Sequence, residues 1–336
     1  MNEKIIRVSQ LFRKPKEFFS IERVFGQLRP ELDKVVTVER WIAPRAGISL
    51  QSILRNIWRA NSQKADVYHV TGDIHYVVLG LPRRHTLLTI HDCVFLYQAS
   101  GYKRRLLKWL LLDWPVRYCK LVTTISESTR RDIIAHTGCA PEKVVVIPDP
   151  VDAGIGYSVR AFREEEPVIL FIGTTPNKNL PRVIQALEGI SCRLDIVGPI
   201  PADAAALLQK HRISYSNGVG LSDQEMADKY AGADLILFPS TFEGFGLPII
   251  EAQKAGRPVV TSDLDPMKEV AGEAGNLVDP HSIVSIREGV LRVIADKDYR
   301  EQLVSSGLRN IERFNTEQIA SQYVSCYRRL SSRKQP

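Results

Sequence analysis

The stretch 235–258, LILFPSTFEGFGLPIIEAQKAGRP, constrains the fold more than any other part of the chain. Residues 235–239 form a wholly apolar run, which is typical of a strand buried on both faces. Residues 241–247 predict a glycine-containing turn, and 248–255 predict a helix with Pro248 at its first position. Gly256 is placed to end that helix, and the apolar run 258–261 predicts the next strand. The sequence therefore predicts a strand, a loop, a helix and a second strand.

The loop before this helix is suited to an anionic ligand. Gly244 and Gly246 have no Cβ, so a ligand can approach the backbone closely. The N–H groups of Phe245, Gly246 and Leu247 lie at the start of the predicted helix, where the helix dipole favours a negative charge. The loop is therefore a candidate cradle for a phosphate group.

Two carboxylates flank this cradle. Glu243 lies in the loop and Glu251, eight positions later, is expected in the first helical turn. Carboxylates repel phosphate but accept hydrogen bonds from sugar hydroxyls, which present adjacent donors. A phosphate cradle with hydroxyl acceptors on two sides favours a nucleotide sugar as the ligand.

In this context Glu243-x7-Glu251, carried as FPSTFEGFGLPIIEAQKAGRPVV, resembles the signature of the retaining glycosyltransferases of family 4. The resemblance implies an α/β architecture of the GT-B type, with two Rossmann-like, doubly wound parallel-sheet domains facing a central cleft. It implies an acceptor-binding domain at 1–150, a nucleotide-sugar-binding domain at 151–315, and a helix at 316–336 that crosses back to the first domain. The alternative is an ordinary strand–helix–strand unit with surface glutamates.

Apolar, β-branched runs alternate with amphipathic segments along the chain, which indicates parallel α/β sheets. Strands are predicted at 5–8, 35–38, 67–70, 86–90, 121–125, 144–148, 168–172 and 194–197, and helices at 50–60, 180–187 and 316–330.

A second candidate phosphate site follows the predicted strand 168–172, in the run GTTPNKN. Asn179 is expected to cap the next helix, and Lys178 beside it carries a compact charge suited to a phosphate. The resemblance implies donor binding by Gly173, Thr174 and Asn177. The family commonly has an arginine where this chain has Thr174, so diphosphate stabilisation would depend on Lys178, backbone dipoles and a basic residue of the first domain. The alternative for Lys178 is an ordinary surface lysine.

The first domain offers one histidine and one basic loop as candidates. His91 and Asp92 follow the predicted strand 86–90, at the sheet edge where ligands gather, and resemble a His-Asp position of the family. The imidazole could donate to a sugar hydroxyl or a diphosphate, or could only hold the next loop. The loop 12–16, FRKPK, replaces the family's glycine-rich turn. Its cations could contact phosphate, but a solvated face is the favoured interpretation.

The net charge of +7 is unevenly distributed. Residues 1–150 carry 24 Lys and Arg against 14 Asp and Glu, a balance of +10, whereas residues 151–336 carry 21 against 24, a balance of −3. This asymmetry predicts an acidic partner for the first half, such as a membrane surface, a phosphorylated acceptor or nucleic acid. No recognition motif supports nucleic acid.

The stretch 102–120, YKRRLLKWLLLDWPVRYCK, is the most membrane-like part of the chain. It places Leu106, Trp109, Leu110 and Trp114 near one helical face, with cations at its start. A buried amphipathic helix with a basic cap is the favoured interpretation. Contact with an anionic membrane surface is the alternative.

We expect a cytoplasmic protein that also makes peripheral contact with the inner face of the membrane. No apolar run approaches the roughly 18 residues of a membrane span, and the N-terminal apolar stretch is too short for a signal peptide. The five cysteines are scattered and odd in number, which favours buried free thiols. The spacing of His69, His75, His85 and His91 does not favour a metal site. Asp263-Leu264-Asp265 is interpreted as a coincidental DxD.

Together these features predict a retaining hexosyltransferase of the mannose or glucose type. Its donor would be a nucleotide diphosphate sugar, its acceptor lipid-linked or a polysaccharide, and neither metal nor other cofactor is expected. The resemblance implies catalytic roles for Glu243, Lys178 and His91, and a ribose contact for Glu251. The alternatives are a nucleotide-sugar epimerase or hydrolase of the same fold and a non-catalytic sugar-nucleotide-binding protein.

Overall fold

The computed structural model describes residues 5–14 and 20–332. The chain divides into two compact units, and each is described separately. Unit 1 comprises Met1–Pro150 and Asn315–Pro336, and unit 2 comprises Val151–Phe314. Each unit contains a six-stranded sheet in which all paired strands run parallel.

The bounds of the elements follow in chain order. In unit 1 they are β1 Arg7–Phe12, α1 Ser20–Leu32, β2 Thr37–Ile42, α2 Leu50–Asn61, β3 Val67–Val70, β4 Thr86–Ile90, α3 Phe95–Gln98, α4 Gly101–Lys108, α5 Trp114–Tyr118, β5 Leu121–Thr124, α6 Glu127–Thr137 and β6 Val144–Val146. In unit 2 they are β7 Val168–Ile172, α7 Leu180–Ala186, β8 Arg193–Val197, α8 Ala202–Lys210, β9 Ser214–Gly218, α9 Asp223–Gly232, β10 Leu235–Phe238, α10 Leu247–Ala255, β11 Val259–Ser262, α11 Met267–Ala271, β12 Gly275–Val278, α12 Ile283–Ala295 and α13 Lys297–Asn310. The last helix, α14 Thr316–Ser331, belongs to unit 1.

The sheet of unit 1 has the order β2-β1-β3-β4-β5-β6 and is covered on both faces. One hydrophobic cluster joins the sheet to α1 and α14, with Phe25 and Tyr327 buried in it. The other joins the sheet to α2, to the 3₁₀ turn His75–Gly80, to α5 and to α6. Both faces of a parallel sheet are normally buried in this way, which explains the near-continuous apolar strands.

The sheet of unit 2 has the order β12-β11-β10-β7-β8-β9. Its buried cluster includes residues of the central strands and of α7, α8, α12 and α13. The strands β7 and β10 are neighbours, with Ile169 opposite Leu235. The loops that follow these two strands therefore lie side by side at the carboxyl edge of the sheet, where parallel sheets bind ligands. The two doubly wound sheets confirm the GT-B fold predicted from the sequence.

The predictions for the first two strands were displaced. The ranges 5–8 and 35–38 were predicted, but β1 and β2 each begin two residues later and extend to residues 12 and 42. Polar residues also occur inside the strands. Gln10 of β1 is buried and donates to the Tyr327 hydroxyl at 3.4 Å. The edge strand β2 also carries exposed Glu39 and Arg40. An apolar run therefore marks only part of each strand.

The sequence analysis favours a core helix at 102–120 that buries the face with Leu106, Trp109 and Trp114, and the choice of that face is wrong. A π-helical turn, Trp109–Asp113, lies between α4 and α5 and shifts the helical phase, as an extra residue in a turn must. Leu106, Trp109 and Trp114 are exposed, at 44–48% of their surface. Leu111, Leu112, Pro115 and Val116 are buried in their place. The Trp109 and Trp114 rings stack outside the core with centroids 4.9 Å apart.

Two smaller predictions have clear outcomes. The cysteines are free, as predicted, and four are buried, but Cys139 is only half-buried because it follows the end of α6. Within residues 5–14 and 20–332, no helix is both long and apolar enough to cross a membrane. Pro15 and Lys16 of the predicted basic loop lie outside the described residues.

Candidate active site

The loops after β7 and β10 are joined by hydrogen bonds from both sides. The Thr241 N–H donates to the Asn177 carbonyl at 2.8 Å. The Asn177 side-chain amide donates to the Phe242 carbonyl at 2.9 Å and to Glu243 Oε1 at 3.2 Å. The structure thus brings together Asn177 and Glu243, which lie 66 positions apart in the sequence.

Lys178 and Glu243 form an ion pair at the centre of this junction. The Nζ atom lies 2.7 Å from Glu243 Oε1, and the two side chains are only 17% and 14% exposed. The ammonium also lies 4.5 Å from the centroid of the Phe238 ring, where the aromatic face attracts a cation. A poorly solvated cation with one carboxylate partner remains attractive to a phosphate, because an ammonium carries three donors.

Gly173 makes room for the Lys178 side chain. Its φ is +86°, and a Cβ there would approach the Lys178 Cε atom to 3.0 Å. The Thr174 hydroxyl donates to the Pro199 carbonyl at 2.6 Å and is thereby engaged with the backbone. The arginine-free position 174 therefore adds no cation to the site, and Lys178 is the charged group of this loop.

Asn179 lies at the predicted cap position of α7, but the capping hydrogen bond expected of its side chain is not formed, because its φ of +72° turns the side chain away from the helix. Its amide donates to the carbonyls of Pro239 at 3.1 Å and Pro280 at 2.7 Å. Asn179 therefore ties the loops after β7, β10 and β12 together.

The glycine loop enters α10 through a left-handed turn. Gly246 has a φ of +110°, and a Cβ there would approach the Ile249 side chain to 3.0 Å. The helix begins at Leu247. Pro248 is therefore its second residue, whereas the sequence predicts it as the first. The left-handed glycine lets the helix start one residue earlier. Glu251 consequently lies in the second turn, which corrects its predicted place in the first.

Glu251 is held by a residue that the sequence analysis missed. The hydroxyl of Tyr230 on α9 donates to Glu251 Oε2 at 2.5 Å, and Tyr230 is fully buried. A short bond from a buried donor fixes the position of the carboxylate. The only sequence signal was an aromatic residue near the end of an amphipathic helix, which identifies no partner.

Phe245 has a structural part in the loop as well as a backbone N–H. Its side chain is buried, and its ring meets Phe314 edge to face with centroids 5.7 Å apart. Leu247 and Gly244 are half-buried at the same turn. The buried ring anchors the loop, so its backbone donors are held in place before any ligand binds.

His91 lies in unit 1, after β4. Its Nε2–H donates to the Thr71 carbonyl at 2.7 Å, which links the loops after β3 and β4. Burial raises the pKa of the nearby Asp149 to about 6, and the His91 charge opposes that rise. Arg13, at the end of β1, forms ion pairs with Glu22 and Asp73. The carboxyl edge of this sheet is thus rich in charged groups.

No metal ligand set occurs in the described part of the chain, where no three His, Cys, Asp or Glu side chains are placed to hold an ion. His69 lies between Tyr327 and Thr89, and burial lowers its pKa to about 3. His75 and His85 bond backbone carbonyls at 2.6 and 2.9 Å.

Two family models define the chain as a glycosyltransferase, in agreement with the fold and the glycine-loop site. It belongs to the glycosyltransferases of family 4 and group 1, because the "Glycosyltransferase Family 4" model matches residues 11–154 and the "Glycosyl transferases group 1" model matches residues 166–296. Each unit thus matches one of the two families.

Comparisons with individual proteins agree with this assignment. The chain is 26% identical over 301 residues to the O-antigen chain mannosyltransferase B of Escherichia coli, covering 82% of this chain and 77% of that protein. Several other curated mannosyltransferases match over shorter stretches, and the chain spans little more than half of their length or less. Among solved structures, sucrose-phosphate synthase from Thermosynechococcus elongatus has a TM-score of 0.79 at 19% identity, over 96% of this chain and 99% of that one. Anabaena HepE, solved with UDP and glucose, has a TM-score of 0.76 at 16% identity over 96% and 99%.

Proposed function

We propose that the chain transfers a hexosyl group, of the mannose or glucose type, from a nucleotide diphosphate sugar to a lipid-linked or polysaccharide acceptor. The observation that carries this proposal is the junction of Lys178, Asn177 and Glu243 beside the glycine loop. One cation suits the diphosphate, and one carboxylate with adjacent backbone N–H groups suits the sugar. The name of the E. coli relative supports mannose, and the bound UDP and glucose of HepE support this class of donor.

In the proposed reaction the bond between the anomeric carbon and the diphosphate oxygen breaks, and a bond to the acceptor hydroxyl oxygen forms on the same face. The hydroxyl proton passes to the departing diphosphate. Lys178 and the N–H groups of the glycine loop stabilise the charge on the leaving group without a metal ion. Glu243 orients the sugar, and Glu251, held by Tyr230, accepts the ribose hydroxyls.

In unit 1, the Nε2–H of His91 is engaged with the Thr71 carbonyl, so ligand contact would fall to Nδ1. In this tautomer Nδ1 accepts a hydrogen bond, so His91 would orient a sugar hydroxyl by accepting from it, and the predicted donation to the diphosphate is not part of the proposal. Gly173, Thr174 and Asn177 would contribute backbone and amide contacts to the donor.

The proposal includes a cytoplasmic location with peripheral contact at an anionic membrane surface. The exposed, stacked Trp109 and Trp114 support it, because amphipathic aromatic rings favour the interfacial region. The exposed Lys103, Arg104 and Arg105 precede them on α4 and favour anionic lipid headgroups.

The test is nucleotide release from UDP-, GDP- and ADP-sugars, with and without a crude lipid extract. We expect extract-dependent release of one nucleotide, lost in Glu243→Ala and in Lys178→Ala but retained in the exposed controls Glu288→Ala and Lys210→Ala. Equal release without any acceptor would instead identify a hydrolase or an epimerase. Donor binding without release under either condition would favour a non-catalytic binding protein.

A further inference from the structure

A charged cavity lies in unit 1, at the carboxyl ends of β1 and β2. It has a volume of about 470 Å³ and is lined by Lys14, Pro44, Arg45, Ala46, Ser52 and Arg55. Three of these six residues are cations and none is acidic. Lys14, Arg45 and Arg55 are all exposed, and none of their side chains has an ion-pair partner among the described residues. We name these three residues the cationic triad.

The segment that carries Arg45 is fixed by a buried amide. Asn56 on α2 is fully buried, accepts from the Arg45 N–H at 3.1 Å and donates to the Arg45 carbonyl at 2.9 Å. The same amide donates to the Tyr76 hydroxyl at 2.9 Å. Holding a backbone against a helix in this way reduces the entropy lost when its side chain binds a ligand. The cavity is therefore a built feature of the unit.

The outer face of α2 is apolar next to this cavity. Leu50, Leu54 and Trp58 recur every fourth residue and are exposed at 71%, 59% and 66%. The inner face of the same helix holds the buried Ser52, Asn56 and Ala60, and Ile53 and Ile57 pack against the core beside them. An amphipathic helix normally buries its apolar face, so a continuous exposed stripe of large apolar side chains marks a binding surface. Arg55 joins the stripe to the triad, because it lies on α2 and lines the cavity.

The triad and the stripe together have the polarity of an anionic amphiphile. Three cations without an ion-pair partner in the described part of the chain suit the delocalised charge of a phosphate, with two arginines able to bind it in bidentate fashion. The stripe suits the hydrocarbon chain attached to that phosphate. Charge complementarity therefore commits the site to a ligand with a phosphate at one end and an alkyl chain beside it.

The position of the triad connects it to the proposed acceptor. In the sheet order, β1 and β2 lie two and three strands from β4, which is followed by His91. Neighbouring strands are about 4.8 Å apart, so the triad lies about 10–14 Å from His91 along the sheet edge. That span leaves room for sugar residues between a phosphate and a reacting hydroxyl.

We infer that the acceptor is a lipid-linked glycan whose phosphate binds Lys14, Arg45 and Arg55 and whose hydrocarbon chain lies along Leu50, Leu54 and Trp58. This inference rests on the proposed function, since it chooses between its two acceptor classes.

The binding test uses dodecyl phosphate, with inorganic phosphate and dodecyl maltoside as probes of each half alone. Tryptophan emission is the readout, and Trp58→Phe identifies the signal that comes from the stripe. We expect dodecyl phosphate to bind at least about tenfold more tightly than either half, a difference of about 1.4 kcal/mol. Arg45→Ala/Arg55→Ala should reduce it to the level of dodecyl maltoside. The matched control Arg84→Ala/Lys120→Ala removes two exposed cations of unit 1 outside the cavity and should bind as the unaltered protein does.

Two binding results would overturn the inference. One is dodecyl phosphate binding no more tightly than inorganic phosphate. The other is equal loss of binding in the control pair, which would show a general attraction to anionic surfaces such as phosphatidylglycerol vesicles.

The acceptor test compares mannosyl dodecyl phosphate with dodecyl mannoside as substrates. We expect a lower acceptor KM for the phosphate-bearing compound, with that advantage lost in Arg45→Ala/Arg55→Ala and kcat little changed. Equal KM values in the unaltered protein would contradict the inference.

Failure of the two proposals can be told apart. Lys178→Ala should still bind dodecyl phosphate, and Arg45→Ala/Arg55→Ala should still bind the donor. If no nucleotide sugar is consumed with any acceptor while dodecyl phosphate binds as expected, the transferase proposal fails and the amphiphile site remains. If donor turnover proceeds but the triad variants change nothing, only the inference about the acceptor fails.

Discussion

The candidate sites of the two units hold their cations differently, although both units contain ion pairs, such as Lys229–Asp195 in unit 2 and Lys108–Asp113 in unit 1. In unit 2 the site cation Lys178 is already paired with Glu243. In unit 1 the cationic triad has no ion-pair partner among the described residues, and burial raises the pKa of Asp149 to about 6. The contrast teaches that a site can be prepared for an anion either by a cation already held in position or by cations left without a partner.

The largest effect is expected when one member of the Lys178–Glu243 pair of unit 2 is removed. Lys178→Ala strands Glu243 and Glu243→Ala strands Lys178, so each should cost about 3 kcal/mol of unfolding free energy. Each should also lower the transfer rate about 10²–10³-fold, because a positioned donor or charge is lost. Denaturant unfolding and initial rates measure the two effects. The double variant Lys178→Ala/Glu243→Ala should recover much of the stability and none of the activity, and recovered activity would contradict the assigned roles.

The charge state of Asp149 gives the second-largest effect. Its folded pKa of about 6 lies above the ordinary 3.8, so the folded state binds the extra proton between those values. Stability from this group is therefore lost as the pH rises through about 4 to 6. Asp149→Asn should be about 2 kcal/mol more stable than the unaltered protein at pH 7 and equally stable near pH 4.

The control for this prediction is to compare the unfolding free energies of Asp149→Asn and the unaltered protein at the same pH. His69, whose pKa is lowered to about 3, destabilises both of them alike as the pH falls below about 6.5. Its contribution therefore cancels when unfolding free energies are subtracted at each pH. A difference that does not change with pH would show that Asp149 is ionised throughout.

Tyr230→Phe tests whether the hydrogen bond that holds Glu251 in unit 2 contributes to donor binding. The variant removes the 2.5 Å bond to the carboxylate but keeps the buried ring. A hydrogen bond to a charged group contributes about 1.5–3 kcal/mol, so we expect a loss of donor affinity of about tenfold with kcat less affected. Donor titration measures it, and Tyr215→Phe, on a half-exposed tyrosine of β9, is the control. An unchanged donor affinity would separate Glu251 from donor binding.

Salt gives the smallest effect and sharpens the comparison. The triad is exposed, so its attraction to phosphate is screened, whereas the less exposed Lys178–Glu243 pair is screened less. Raising the ionic strength from about 0.05 to 0.2 M should weaken dodecyl phosphate binding about threefold. The stability difference between Lys178→Ala and the unaltered protein should change little over the same range. Equal salt dependence of both measurements would remove the distinction between the two sites.

Much of the fold was predictable because parallel strands are continuous apolar runs. The predictions at 67–70, 86–90 and 168–172 match β3, β4 and β7 to the residue. Where polar residues are buried, as at Gln10, the pattern misplaced the strand. The stretch 102–120 failed for another reason, since one π turn rotates every later side chain to a new face.

The candidate site was predictable where its chemistry is local. The glycine loop and Glu243 lie in one stretch of sequence, but the contact between Glu243 and Lys178 depends on β7 and β10 being neighbours. Tyr230 could not be identified, because a buried tyrosine finds its partner only through tertiary packing. The cationic triad likewise joins the ends of two strands to one helix.

The place of α14 has a consequence for the order in which the chain can fold during synthesis. Unit 2 is continuous in sequence, so it can close as soon as residue 314 has left the ribosome. Unit 1 must wait, because Ile319, Tyr323 and Tyr327 of α14 complete the cluster that buries Phe25 and Leu28. Until then its nascent half exposes a large apolar surface, the kind that chaperones bind and that aggregates. Helix α14, which is made after the whole of unit 2, thus determines when the first half of the protein can bury this surface.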